Sequence, residues 1–346
     1  MAERHPHRVT MKQVARDAGV SVATVSLVLN EAPGISTATR ELVKAKIREL
    51  NYSPDLQARR LSSGMAGTVA MVLPPWSEAF NDPYFMRMLS GALEAVRDRG
   101  SQLLLEVCDQ RFIDHHIWKD LFAGKRVDGL LIATPYLDHS YLKEVEERHL
   151  PVVLINGDRP DLPGLDFMGF DDLQCGLDAT NYLIGLGHRR IAHLMGDLNQ
   201  ASARRRLEGY RQAMAAAGLP VREEDLLAGD YLPLESREAF RPILARPPAD
   251  RPTALFAAND SSALGVMNFL RESGWELPRD LSVVGVDDTG LAANAIPGLT
   301  TFRQDIFALS YLAADLFLTK LHSKSHEPLK HLNRMELIER DSCRRL

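Results

Sequence analysis

Two periodicities divide the chain. Up to about residue 50, apolar side chains recur at helical spacing. Val14 and Ala18 share one face of a first segment that Gly19 closes, and Thr10 with Gln13 forms a T-x-x-Q capping box at its start. Ser21 caps a second segment, Val22 to Leu29, with Val25, Val28 and Leu29 at i, i+3, i+4 spacing. After the breaker pair Pro33-Gly34, a third segment from about Thr37 to Leu50 turns Leu42, Val43, Ile47 and Leu50 inward. This predicts three short helices around one small core. From Thr68 the period changes to apolar runs of strand length: TVAMVLP, SQLLLEV, VDGLLIA, PVVLIN, RRIAHLMG, TALFAAN and LSVVGVD. Between them, helical stretches end at Gly100, Gly187 and Gly274 and feed a strand almost at once. The runs read as buried parallel strands in repeated βα units.

Length supports this division, because 346 residues exceed the roughly 250 to 300 that one hydrophobic core serves. Apolar residues at 45% and charged residues at 25% are ordinary for a folded globular chain and argue against disorder. No apolar stretch approaches the roughly 18 residues of a membrane span, and the start lacks the apolar region of a secretory signal. Cys108, Cys175 and Cys343 are scattered without metal-ligand spacing, so a reducing cytoplasm and no cofactor or metal are expected. The net charge of −5 conceals an asymmetry: residues 1–64 carry ten basic and six acidic side chains, a balance of +4, leaving −9 on the remainder. A small basic head on an acidic body suits a polyanion-binding head.

Two helices joined by a short turn containing Gly fit either an ordinary three-helix bundle or a helix-turn-helix, whose second helix enters the DNA major groove. The residue text separates them. Val14, Ala15, Ala18, Gly19, Val20, Ser21, Thr24, Val25, Ser26, Val28, Leu29 and Asn30 match the signature V-A-x-x-A-G-V-S-x-x-T-V-S-x-V-L-N, and the segment closely resembles the DNA-binding head of the LacI/GalR family of bacterial repressors. The resemblance implies that Val22, Ala23 and Leu27 touch base edges, while Thr10, Ser21, Thr24, Ser26 and Asn30 hold phosphates or frame the groove. Val22, Ala23 and Leu27 depart from the polar residues common there and offer bases only apolar contact.

Asn51 to Leu61, NYSPDLQARRL, resembles the family's hinge segment. Ala58 and Leu61 lie i, i+3, and the resemblance implies that Leu61 wedges into the minor groove while Arg59 and Arg60 flank phosphates. Asp55 stands where the family favours Asn. A helix this short is marginal in water, so it is expected to form on DNA.

The remaining text, including GALEAVRDRG, GHRRIAHL, RRRLEGYRQAM, FAANDSSALGVM and LTTFRQD, resembles the family's effector-binding body, itself similar to periplasmic sugar-binding proteins. The implied fold class is a small all-α helix-turn-helix head, residues 1–50, a hinge and linker, 51–65, and an α/β periplasmic-binding-protein-like body, 66–346. The body would hold two doubly wound parallel-sheet subdomains, about 66–167 with 299–327 and 168–298 with 328–346. Ligands in open α/β sheets sit beyond the carboxyl ends of strands. Asp171, Asn259, Asp260 and Asp287 each follow a strand run, where an Asp or Asn also caps helices. The resemblance assigns Asp171, Arg206, Asn259 and Asp287 to effector hydrogen bonds, with Gln200 and Ser202 as further candidates, and Tyr84, Phe85 and Tyr231 to the cleft walls. Asp260 is read as a cap. Carboxylate, amide and guanidinium together suit the vicinal hydroxyls of a sugar.

No G-x-S-x-G, P-loop or H-E-x-x-H occurs, Gly185-Leu186-Gly187 lacks the third Gly of a dinucleotide fingerprint, and His115-His116 lacks a third ligand. An enzyme is therefore not expected. The expected protein is a dimeric, non-membrane repressor with two partners, a pseudo-palindromic double-stranded operator and a small effector, carbohydrate in chemistry by its hydroxyl-binding groups. A nucleobase or phosphorylated metabolite is the competing effector. An aromatic stacking pair in the cleft would favour the base, and extra basic residues the phosphate. The sequence stops at ELIERDSCRRL, close behind the body, so no tetramerising zipper is expected.

Overall fold

The computed structural model describes residues 9–29, 32–52, 65–75, 82–323 and 328–346. The expectations placed on Asn30 and on Ala58, Arg59, Arg60 and Leu61 lie outside these residues. The chain divides into two compact units, Met1–Ala66 and Gly67–Leu346.

In the first unit three helices, Met11–Asp17, Val22–Leu29 and Thr37–Glu49, enclose a core of Val14, Ala15, Ala18, Val25, Val28, Val43 and Tyr52. Gly19 takes φ +66°, a left-handed conformation that lets the first helix turn directly into the second. Ser21 caps the second helix, its Oγ accepting from the Thr24 amide at 3.0 Å, and Ser36 caps the third from the Thr39 amide at 3.2 Å. Two sequence expectations fail here. Thr10 occupies the N-cap position, but its side chain accepts no bond from the helix; the main-chain carbonyl alone takes the Gln13 and Val14 amides, so no capping box forms. Leu42 is exposed rather than inward, because the buried stripe of the third helix is set by Val43, one position further round.

The second unit holds two six-stranded sheets. The first contains β1 Thr68–Leu73, β2 Gln102–Val107, β3 Gly129–Ala133, β4 Val152–Ile155, β5 Asp166–Phe170 and β11 Lys330–Asn333, in the order β11-β5-β4-β3-β1-β2 and parallel throughout. The second contains β6 Ile191–Met195, β7 Leu226–Ala228, β8 Ala254–Ala257, β9 Ser282–Asp287, β10 Thr300–Arg303 and β12 Glu336–Ile338, in the order β12-β10-β9-β8-β6-β7. Only β12 runs antiparallel, against β10. Alternation along each strand feeds two cores: Val69, Met71 and Leu73 of β1 join one, Ala70 and Val72 the other. Helices on both faces make each sheet doubly wound.

The seven apolar runs are β1 to β4, β6, β8 and β9. The chain passes between sheets three times, and each passage falls later than the sequence pattern suggests. β5 pairs with β4, Leu154 opposite Phe167, so residues to Phe170 stay in the first sheet rather than ending at 167. β10 pairs with β9, Thr300 opposite Val284, which moves that switch from 298 to Gln304. β11 returns to β5 before β12 crosses again, moving the last switch from 327 to the Arg334-Met335 turn. Short runs such as TTFR and KHLN do not reveal which sheet they join, since membership depends on a distant partner.

Candidate functional site

Between the two sheets, beyond the carboxyl ends of their strands, lies a narrow cavity lined by polar and aromatic side chains. Thr134 follows β3, Asn156 follows β4, Asn259 lies just past β8, Asp287 ends β9 and Gln304 stands at the second crossover. Gln200, Ser202 and Arg206 come from the start of helix Ala201–Ala216. Asp82, Tyr84 and Phe85 come from the start of helix Pro83–Asp98, and Tyr231 from the loop after β7.

Arg206 is almost wholly buried. Its Nε and Nη2 donate to Asp172 Oδ1 at 2.8 and 2.7 Å, and its Nη1 donates to the Ala258 carbonyl. Two glycines hold it there: a Cβ at Gly176 would collide with the Arg206 carbonyl, and one at Gly209 with that of Leu173, so helices Asp172–Gly185 and Ala201–Ala216 pack backbone to backbone. Burial raises the Asp172 carboxyl pKa, and the guanidinium pulls it back down. The only cation among the described lining residues is thus already neutralised locally.

Asp287 sits at φ +127°, a conformation rare for any residue with a Cβ, and its Oδ1 accepts from Gln304 Nε2 at 3.0 Å. Burial first, and then the neighbouring Asp260, raise its pKa well above the carboxylate range. Asp260 lies behind the cavity, accepting from Thr301 Oγ1 at 2.6 Å and the Thr289 amide at 2.9 Å, with its pKa pushed up to about 7 by burial. It is not the helix cap read from sequence. Asn259 fills that role, its Oδ1 accepting the Ser262 amide at 2.9 Å, and its Nδ2 donates to the Tyr231 carbonyl at 3.2 Å.

Tyr231, at φ +66°, is pinned by a 2.9 Å hydrogen bond between its hydroxyl and Ser202, and burial pushes that hydroxyl up to about 12. Tyr84 shares its hydroxyl with Asn156 Nδ2 and meets Phe85 edge to face at 88°. Three buried polar atoms of the lining, Thr134 Oγ1, Asn156 Oδ1 and Gln200 Nε2, find no partner among the described residues. Asn156 also donates Nδ2 to Gln304 Oε1 at 3.3 Å, so its oxygen is left to accept. Such groups are costly to bury unless something hydrogen-bonds them.

Of the residues singled out by sequence, Tyr84, Phe85, Gln200, Ser202, Arg206, Tyr231, Asn259 and Asp287 line this one cavity. Asp171 is not among the lining residues; its Oδ1 accepts the Gln174 amide at 3.0 Å and caps helix Asp172–Gly185. Asp82, Thr134, Asn156 and Gln304 were not anticipated. Thr134 and Asn156 carry the signal that pointed to Asp287, a polar residue just past a strand run. Among the described residues no group of three or more His, Cys, Asp or Glu is placed to hold a metal ion, and no helix is long and apolar enough to cross a membrane.

In the first unit, the second helix presents Ser21, Val22, Ala23 and Leu27 to solvent, with Val22 and Leu27 41% and 42% exposed. Thr24 and Ser26 are half-buried beside them, and Thr10 is exposed.

A three-helix unit of this kind, followed by two parallel sheets around a polar cavity, defines a helix-turn-helix regulator with a periplasmic-binding-like body. Residues 10–55 match the family model described as bacterial regulatory proteins, lacI family, and residues 180–343 the periplasmic binding protein-like domain. The chain belongs to the lacI family and is a DNA-binding transcriptional regulator. The HTH-type transcriptional regulator CelR of Thermobifida fusca is 34% identical over 339 residues, 97% of this chain and 98% of that protein. The structure of a CelR-cellobiose complex superposes with a TM-score of 0.74 at 32% identity, covering 97% of this chain and all of the other. The lac repressor dimer bound to operator and the anti-inducer ONPF superposes with a TM-score of 0.81 at 28% identity, covering 96% and 98%.

Proposed function

We propose that the protein is a cytoplasmic homodimeric repressor whose operator affinity is set by a neutral, hydroxyl-rich effector bound in the cavity between the two sheets. The observation that carries this reading is the lining itself: three buried, unpartnered polar atoms beside Asp287 and Arg206. Asn156 Oδ1 calls for a donor, Gln200 Nε2 for an acceptor, and Thr134 Oγ1 serves either, a complement that a polyol satisfies. The one cation among the described lining residues is held by Asp172, which leaves it unsuited to a phosphate, and the perpendicular Tyr84 and Phe85 rings do not lie parallel as a clamp for a base would. The cellobiose bound by CelR supports the same chemistry.

In this reading Thr10, Ser21, Thr24, Ser26 and Asn30 meet phosphates, Val22, Ala23 and Leu27 meet base edges, and Leu61 with Ala58 wedges the minor groove between Arg59 and Arg60. Two heads on a twofold axis read a pseudo-palindrome. The effector shifts operator affinity by reciprocal coupling, and no catalytic step is involved.

The test is a thermal-shift screen of the full chain against neutral sugars, their phosphates and purines, repeated with Asp287→Asn. Neutral sugars should raise the melting temperature of the wild type and not of the variant, while operator binding without effector stays unchanged. Stabilisation by phosphates or purines alone would reject the polyol reading. Sedimentation of the full chain as a monomer at micromolar concentration would reject the dimer.

A further inference from the structure

The subdomains also touch through a cluster of polar contacts beside the cavity. Arg205, next to Arg206 on helix Ala201–Ala216, forms a two-pronged ion pair with Asp158, two residues past Asn156: Nε donates to Oδ1 at 3.1 Å and Nη2 donates to Oδ2. Beside it, the Leu137 amide donates to the Asn199 carbonyl at 2.7 Å, the Asp138 amide donates to Asn199 Oδ1 at 3.3 Å, and Tyr136 and Gln200 form a single antiparallel bridge.

Each half of this contact is internally braced. On the first subdomain, buried Arg159 donates to the carbonyls of Tyr136 and His139 and pairs with Asp161, tying the 136–139 loop to the segment that carries Asp158. On the second, Asp197 accepts from the Asn199 amide at 2.8 Å, its carbonyl accepts from the Gln200 amide, and Arg204 donates to the Leu198 carbonyl. Two braced blocks therefore meet, among the described residues, through this ion pair, the Asn199 hydrogen bonds and the Tyr136–Gln200 bridge, at residues within four positions of the lining residues Thr134, Asn156, Gln200 and Arg206. Gln304, also in the lining, lies at a crossover, where the chain itself joins the subdomains.

We propose that the Arg205–Asp158 pair and the Asn199 contacts are an electrostatic latch that sets how often the cavity opens. The crossovers keep the subdomains connected, and the latch is what separates when they part. Arg205 is 39% and Asp158 21% exposed, so salt reaches the pair and weakens it. The cavity's opening is then salt-dependent, whatever ligand enters.

Amide hydrogen exchange of the full chain, without ligand, reads the latch directly. Arg205→Ala and Asp158→Ala should each speed exchange at Leu137 and Asp138 about two- to fivefold, with sheet amides such as Val69 and Val283 unchanged. About 1 M NaCl should produce the same increase in the wild type and add little in either variant. Combining Arg205→Asp with Asp158→Arg should slow Leu137 and Asp138 again. Unchanged exchange in both single variants would overturn the latch. So would equal acceleration of Val69 and Val283, which would make the pair a brace of the whole body, or a double reversal as fast as the singles, which would make the contact steric.

Discussion

In the head, Val22 and Leu27 are more than 40% exposed. In the body, Arg206, Gln200 and Asn156 are at most 5% exposed, and Asn156 Oδ1 and Gln200 Nε2 have no partner among the described residues. The head displays its chemistry outside a small core, so recognition there is free of structural demand and changes without threatening the fold. The body folds its chemistry into the space between two sheets, where a binding group is also a structural group. A substitution in the body therefore reports on both functions at once, whereas one on the head's outer face separates them.

The sharpest contrast should come from Arg206→Ala. It strands Asp172 as a buried charge, and breaking one side of such a pair costs about 3–5 kcal/mol. Denaturant unfolding should show that loss in the body's transition and leave the head's helices unchanged; a body as stable as wild type would mean that Asp172 relaxes to water.

Asp260 offers a pH handle within the same cavity wall. With its folded pKa near 7 and its unfolded value near 4, the native chain keeps a proton that the unfolded chain has released. Its contribution is full below pH 4 and declines as pH rises toward 7, by on the order of 1 kcal/mol per pH unit. Asp260→Asn should reduce that slope without abolishing it, because burial raises the neighbouring Asp287 as well. Parallel stability–pH curves for variant and wild type over this window would show that Asp260 is ionised in the folded protein.

Val43→Ala, in the head's core, should cost about 2 kcal/mol. In so small a unit that loss removes operator binding at physiological temperature while effector binding persists. If operator binding and effector binding fall together, the two units do not fold independently. The smallest stability effect belongs to Leu27→Ala, within about 0.5 kcal/mol. Operator affinity should nonetheless fall severalfold, since the leucine's only proposed partner is a base edge; an unchanged affinity would place Leu27 off the DNA.

Much of this was legible before any coordinates. The apolar runs marked seven of the twelve strands among the described residues: six are buried on both faces and so apolar throughout, whereas β2, also expected to be buried, lies half exposed at a sheet edge. Exposed or edge strands such as KHLN and ELI carry no such signature, and β7 is only three residues long. In the cavity, residues fixed by local motifs, such as Arg206 and Asp287, could be found in the text. Asn156 carried the same signal as Asp287, a polar residue just past a strand run, whereas Gln304 could not be assigned, because its role arises with Asn156 across 148 residues. Asp171 shows the converse: a residue that fits the pattern yet spends its carboxylate on the helix that follows. Leu42 shows how one position of helical rotation decides which of two adjacent apolar residues is buried.

The third crossover has a consequence for synthesis. β11 neighbours β5 in the first sheet, yet its Lys330 follows the paired Phe167 by most of the body, and β12 completes the second sheet later still. Neither sheet can finish until the ribosome has passed these strands, whereas the head's core needs nothing beyond Tyr52. At about 5–20 residues per second the interval is on the order of tens of seconds. Throughout it, the nascent polypeptide carries a folded reader of DNA attached to a sensor that does not yet exist.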